Sequence, residues 1–308
     1  MSKRALVLVS IFFVFSVIFY LSVTRESHEG AENVLRPLGN EDLKEATRIE
    51  IYQGSRRNGL VLVKEGNRWV ILSDYRKPAS ERLVEKFLET FANLSGEERA
   101  RGKKYFDRFG VGEKEGLHVV FKKDGQVLSH FVVGKRGPRW ESSFVRLEGQ
   151  DNIYLVPVNL LALVDIQTEE PAPPKEEAFL NLEVLTLPIE ELKELTFESP
   201  NISWSLRLED NKYLFEVNGE KREIPLEEGR KFLRKLFPIL AEGVVPPDRF
   251  PGPQGVLSYS LRDGRKGRLY LTCQKEDCLL KKDDFVFRVK KETLKVLFSP
   301  SFDGEVSE

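Results

Sequence analysis

The stretch Phe106-Asp-Arg-Phe-Gly-Val111 decides the fold, because its core, Asp107-Arg108-Phe109, returns as Asp248-Arg249-Phe250 in matching surroundings. Downstream of each copy comes a hairpin signal, Lys123-Asp124-Gly125 in one place and Arg262-Asp263-Gly264 in the other. Asp-Gly between apolar runs is a strong short-range hairpin marker. Farther on, Ile153-Tyr-Leu-Val with Leu160, Leu161 and Leu163 matches Val286-Phe-Arg-Val with Thr293, Leu294 and Val296. Upstream, Leu83, Val84, Phe87, Leu88 and Phe91 fall on one face of a helix, and Phe232, Leu233, Leu236, Phe237 and Leu240 repeat that stripe. Pro78 and Pro225 precede the two helices, where a missing N–H costs nothing, and Pro238 should end the second early. Before each helix lie three strand-like runs. They are Thr47–Tyr52, Gly59–Lys64 and Arg68–Leu72 in the first half, and Glu194–Glu198, Ile202–Leu208 and Lys212–Val217 in the second. A tripeptide alone is weak evidence, and two unrelated α+β domains could have similar content. The shared order of so many elements favours a duplication. The predicted fold class is α+β, with two tandem repeats of a mostly antiparallel sheet carrying one main helix each.

A chain of 308 residues fits roughly two domains. The break between them is Gln167-Thr-Glu-Glu-Pro-Ala-Pro-Pro-Lys-Glu-Glu177, where three prolines in four residues exclude helix and favour an extended spacer. The first repeat is placed at 41–166, a Pro-rich linker at 167–180, the second repeat at 181–299 and a tail at 300–308. Ahead of them, Ala5 to Val23 contains no charge, and fourteen of its nineteen residues are Leu, Val, Ile or Phe. As a helix it would span roughly 28 Å, about one hydrocarbon core. The sequence therefore predicts a transmembrane helix at 5–23, with a cytoplasmic tail at 1–4 and a polar stalk at 24–40. Lys3 and Arg4 lie before it and Glu26, Glu29 and Glu32 after it, so the positive-inside rule keeps the N-terminus in the cytoplasm. The expected location is the inner membrane, single-pass, with both repeats in the extracytoplasmic space. A cleaved signal peptide is the competing reading, but the apolar run is long and ends without a small-x-small site.

The chain is 41% hydrophobic and 31% charged, which suits a globular protein. With 48 basic against 49 acidic residues, it lacks the concentrated positive charge that nucleic acid would require. A Lys- and Glu-rich composition with one Met points to a thermophilic source. The two cysteines, Cys273 and Cys278, flank a polar four-residue loop between apolar runs, so they are read as a hairpin whose neck carries a disulfide. Structural zinc would need further ligands, and the chain has no other Cys.

The chain shows no nucleophile elbow, no His-Glu-x-x-His and no phosphate-binding loop, so no catalytic, cofactor or metal residue is assigned and no cofactor is expected. His28 lies in the stalk, while His118 and His130 flank the Asp124-Gly125 hairpin. A three-residue loop would put these two on one face of the ladder and a two-residue loop on opposite faces. Without a carboxylate cluster beside them they are read as ordinary strand positions. Both Asp-Arg-Phe copies are read as a capped turn or local salt bridge whose Phe enters the core. Trp140, beside Arg136 and Arg139 in Gly137-Pro-Arg-Trp-Glu-Ser-Ser143, occupies a loop that the second half lacks. Its composition is that of an interface hot spot.

Trp69-Val-Ile with Pro78, the Leu83/Phe87/Leu88 helix, Phe106–Val111, Phe131-Val-Val-Gly134, Phe144-Val-Arg146 and Ile153–Val156 together resemble the domain-of-unknown-function 4340 family. The resemblance is clearest over 47–164. The second half looks like a degenerate copy, with Tyr213 at the Trp69 position and Cys273 at the Gly134 position. The resemblance implies a membrane-anchored bacterial protein associated with ABC-type transport or gliding-motility-type auxiliary components, and it supplies no catalytic residues. The expected function is a non-enzymatic accessory or scaffold with protein partners. A binding module for a polysaccharide, peptide or lipid at the junction of the two domains is the alternative.

Overall fold

The computed structural model describes residues 35–54 and 59–302. In the first half the strands are β1 (Arg36–Pro37), β2 (Arg48–Gln53), β3 (Leu60–Glu65), β4 (Arg68–Leu72), β5 (Arg76–Pro78), β6 (Ser95–Arg101), β7 (Leu117–Lys123), β8 (Gln126–Arg136), β9 (Ser143–Leu147) and β10 (Asn152–Val156). They form one antiparallel sheet in the order β1-β6-β10-β9-β8-β7-β2-β3-β4-β5. Helix α1 (Glu81–Ala92) leaves the edge at β5 and crosses one face of the sheet. The chain then reaches the opposite edge as β6 before returning to the middle as β7. Val84, Phe87, Leu88 and Phe91 on α1 press into the apolar side chains that alternate along the central strands. Phe91 is fully buried, with ring centroids 4.8 Å from Phe87, 5.1 Å from Phe121 and 5.0 Å from Phe131. Each such ring contributes about 1.5–3 kcal/mol by burial.

The second half contains β11 (Glu183–Leu185), β12 (Leu192–Glu198), β13 (Ser203–Glu209), β14 (Lys212–Val217), β15 (Glu220–Pro225), β16 (Ile239–Leu240), β17 (Gly243–Val245), β18 (Gly255–Leu261), β19 (Lys266–Gln274), β20 (Asp277–Lys282) and β21 (Phe285–Lys290). Its sheet runs β15-β14-β13-β12-β18-β19-β20-β21-β17. Counted from the edge before the helix, this is the order of the first sheet, strand for strand. Even the short outliers correspond, because β1 pairs with the start of β6 and β11 pairs with β16. The short helix carrying Asp107, α2 (Phe106–Phe109), precedes the long helix of this half, α3 (Leu226–Leu236), in the chain. On α3, Phe232, Leu233 and Leu236 are buried against the second sheet. The last helix among the described residues is α4 (Lys295–Phe298).

The proline-rich segment is seated on the first sheet. Gln53 donates to the Pro171 carbonyl, Lys77 pairs with Glu176, and Phe179 is buried with its ring 5.2 Å from Phe87. The two halves also touch directly. Val70 belongs to the second core, Tyr75 donates to the Val244 carbonyl, and the Arg68 guanidinium lies over the Phe285 ring within reach of Asp283.

Two expectations need correction. The described chain is mostly antiparallel sheet, and among the described residues no helix is long and apolar enough to cross a membrane. The longest described helix, α1, has 12 residues and sets Glu and Lys side chains against its apolar stripe, so it covers a sheet and cannot span a bilayer. Ala5 to Val23 lies outside the described residues. The fold class headed by a transmembrane helix, and the single-pass inner-membrane location derived from it, are therefore not retained. A smaller correction concerns register. Tyr213 does stand where the first sheet has Trp69, but the pairings put Thr272, not Cys273, at the Gly134 position.

Candidate functional site

Alternation along β7 sends Leu117, Val119 and Phe121 toward α1, and His118 and Val120 to the far face of the sheet. That far face is covered in the first half by the segment from Gly102 to Gly116, which includes α2. Two polar side chains of the sheet are buried under this cover, His118 and Arg146, each 2% exposed. His118 Nδ1 stands 2.9 Å from His130 Nε2, and His118 Nε2 stands 2.9 Å from the Glu113 carbonyl oxygen. A carbonyl can only accept, so His118 Nε2 carries a proton and donates it there, and Nδ1 is the ring nitrogen that faces His130. Tyr52 stacks on the His118 ring at 4.8 Å, nearly parallel, and fixes its plane.

The two histidines meet because of a bulge. The Asp124-Gly125 turn has two central residues, both with positive φ, which alone would set His118 and His130 on opposite faces. The register slips by one between Phe121 and Lys122, so Val120 opposes His130 and the two rings become diagonal neighbours on one face.

Arg146, on β9, completes the cluster. Its Nε donates to the Val111 carbonyl at 2.8 Å, and its terminal nitrogens pair with Glu113 and with Glu148 at 3.0 Å. The guanidinium also lies 4.6 Å from the Phe106 ring centroid. A buried charge needs such partners, and here two carboxylates with a backbone carbonyl supply them. Glu148 is exposed, and its carboxylate converges on the two histidines, one ligand atom from each of the three residues lying within 4.8 Å of the others. This carboxylate was missing from the sequence reading. Alternation along Phe144-Val-Arg-Leu-Glu148 puts Arg146 and Glu148 on one face, but only the strand order brings β9 beside β8.

Asp107 and Arg108 are exposed, while the Phe109 ring packs on Phe144 at 4.5 Å. Arg108 lies over Phe109, and Gly110 ends the turn at φ 67°. Gly134 is required there, because a Cβ would fall 2.2 Å from the Phe109 carbonyl oxygen. Asp248 and Arg249 are likewise exposed, with Phe250 half-buried. The signature is thus a turn resting on the sheet in both halves.

Trp140 is 51% exposed, and the Arg136 guanidinium sits 4.3 Å from its ring centroid. Arg136 is held in turn by Glu169 of the proline-rich segment. The loop is braced by Gly137 N–H donating to the Ser142 carbonyl and by the Ser142 hydroxyl donating to the Arg139 carbonyl. Beside it lies a groove of about 500 Å³ lined by Leu35, Pro138, Arg139, Leu155, Val156 and Pro157, among others. In the second half the matching hairpin, β19–β20, is closed by the Cys273–Cys278 disulfide between directly opposed residues.

Arg48 and Lys122 both hold Glu50, a buried acid on β2. Burial raises its pKa, but the hydrogen bonds from Lys122 and Arg48 outweigh that and keep it below the ordinary value.

No curated protein matches the chain. One family model does, the domain of unknown function DUF4340, over residues 69–248, in a single match that runs from β4 of the first sheet through to the Asp248 turn of the second. The match spans more than half of the sequence and both halves of the fold, and the chain belongs to the DUF4340 family.

Proposed function

We propose that the protein is a non-enzymatic accessory or scaffold that works by holding a protein partner at the Trp140 loop of its first sheet. The observation that carries this reading is an exposed tryptophan, backed by a guanidinium and set on a braced loop beside an apolar groove. Trp and Arg dominate the binding energy of protein interfaces. A side chain already held in place loses little entropy when a partner arrives. An ABC-type transport or envelope complex is the assembly that the family resemblance implies. A ligand at the junction of the two halves is less well supported, because Val70 and Tyr75 fill that junction with direct contacts.

The test is affinity capture of the full chain at native expression, in parallel with Trp140→Ala. The expected result is a stoichiometric protein partner that binds the variant at least about 30-fold more weakly, the effect of losing a 2 kcal/mol hot spot. The melting temperature should stay within about 2 °C, since a half-exposed ring adds little to the core. Recovery of the chain alone, or equal capture by the variant, would remove the support for this reading.

A further inference from the structure

We infer that His118, His130 and Glu148 form a binding site for one divalent transition-metal ion of the zinc class, independent of the Trp140 loop. The three donor atoms already lie within 4.8 Å of one another. Two nitrogens on one tetrahedral zinc sit roughly 3.3 Å apart, given Zn–N bonds of about 2.0–2.1 Å. The two here are 2.9 Å apart, so the rings need to separate by only a few tenths of an ångström. The ion would replace the hydrogen bond between the two rings, with the His130 proton moving from Nε2 to Nδ1 so that Nε2 offers its lone pair to the metal.

The surroundings of His118 are those of a metal ligand. Its Nε2–H donates to the Glu113 carbonyl, and metal-binding histidines usually orient their free nitrogen in just this way by a hydrogen bond to a carbonyl or carboxylate. Stacking on Tyr52 prevents the ring from turning away. Arg146 grips one oxygen of Glu148, which aims the carboxylate and leaves its other oxygen for the ion. Two imidazoles and one carboxylate favour zinc-like ions over calcium or magnesium, which take oxygen ligands. Arg146, Glu113 and Glu148 together carry −1, so a divalent ion brings the cluster to +1, with the exposed Glu148 side open to water.

The second half isolates the effect. At the positions of His118, His130 and Glu148 the matching strands carry Val256, Arg268 and Asp283, and this Arg and Val offer no ligand. One ion per chain is therefore expected, although the sheet occurs twice.

The experiment uses the full-length, oxidised chain stripped with chelator. It is titrated with Co²⁺, followed by its visible absorption, and with Zn²⁺ by calorimetry. His130→Ala and Glu148→Gln are compared with the parent, because both lie at the open side of the cluster and spare the buried His118. One equivalent of metal should bind, with a cobalt band of tetrahedral intensity, and each variant should bind at least about tenfold more weakly. Thermal melts of the metal-free proteins verify that both variants fold. No saturable binding by the parent, or binding of the same strength in both folded variants, overturns the assignment.

Discussion

Reduction of the Cys273–Cys278 bond should destabilise the second sheet by about 2 kcal/mol and leave the first sheet almost untouched. The two residues face each other across β19 and β20, separated by 5 positions in the chain. Closing a loop of about six residues removes roughly 7 cal/mol/K from the unfolded chain, or about 2 kcal/mol at 25 °C, on the chain-entropy description. The folded side should change little. The Lys275-Glu276 turn already fixes the register, and Cys278 stays fully buried as a small apolar side chain. A loss of this size lowers the melting temperature by roughly 4–8 °C. Calorimetry of one preparation with and without a phosphine reductant measures the total, and hydrogen exchange locates it. Amides of β18–β21 that open with the second sheet should exchange about 30-fold faster after reduction, whereas those of β7–β9 should not change. An unchanged melt, or equal acceleration in both sheets, would refute the reasoning. The first outcome would mean that the turn alone holds the hairpin, and the second that the sheets unfold as one unit.

Two further outcomes follow from packing and charge. At Gly229 on α3 a Cβ would fall 2.2 Å from the Tyr213 ring, whereas the matching position on α1 is Val84, so Gly229→Ala should cost about 1–3 kcal/mol in urea unfolding despite its gain of up to ~1 kcal/mol in helix propensity; a more stable variant would show that this helix stands off the sheet. For Glu50 the folded pKa lies below the ordinary 4.5, so the folded state resists protonation more than the unfolded chain does. Its contribution is present above about pH 4.5 and is lost as the pH falls through the folded value. Glu50→Gln should therefore cost about 1–3 kcal/mol at neutral pH, and the gap to the parent should shrink in acid. A gap that stays constant from neutral pH into acid would show that the carboxylate charge is not what stabilises the fold.

What the sequence disclosed followed apolar periodicity. Both long helices, both Asp-Gly hairpins and the facing cysteines depend on patterns within about a dozen residues, and these are legible locally. Among the strands it did not disclose, the two longest carry charge on both faces. Ser95–Arg101 has charge at four of its seven positions and no apolar alternation, yet it forms β6, paired with β10 and with the two-residue β1. Glu220–Pro225 is mostly exposed and forms the opposite edge of the other sheet. Edge strands tolerate charge because only one side is paired, and the charge itself protects them from further pairing. The buried polar cluster was hidden for a different reason. His118 and His130 come together through a one-residue bulge, and Glu148 joins them through the placement of β9, neither of which leaves a periodic trace.

The differences between the two halves bear on function more than the likeness does. At the β8–β9 hairpin the first half extends a loop that presents Trp140, and at the equivalent β19–β20 hairpin the second half has a two-residue turn clamped by a disulfide. On the far face, fifteen residues from Gly102 to Gly116 cover the first sheet and bury His118 and Arg146. Only nine, from Pro246 to Gln254, link the corresponding strands of the second sheet, and Thr196, Ser258 and Arg268 line an open groove there. Had both copies kept one binding role, their loops and covers should have stayed alike. The first sheet instead carries the exposed aromatic and the convergent donors, and the second carries the covalent clamp. Val70 and Tyr75 join the two halves across the junction, while each half keeps its own core.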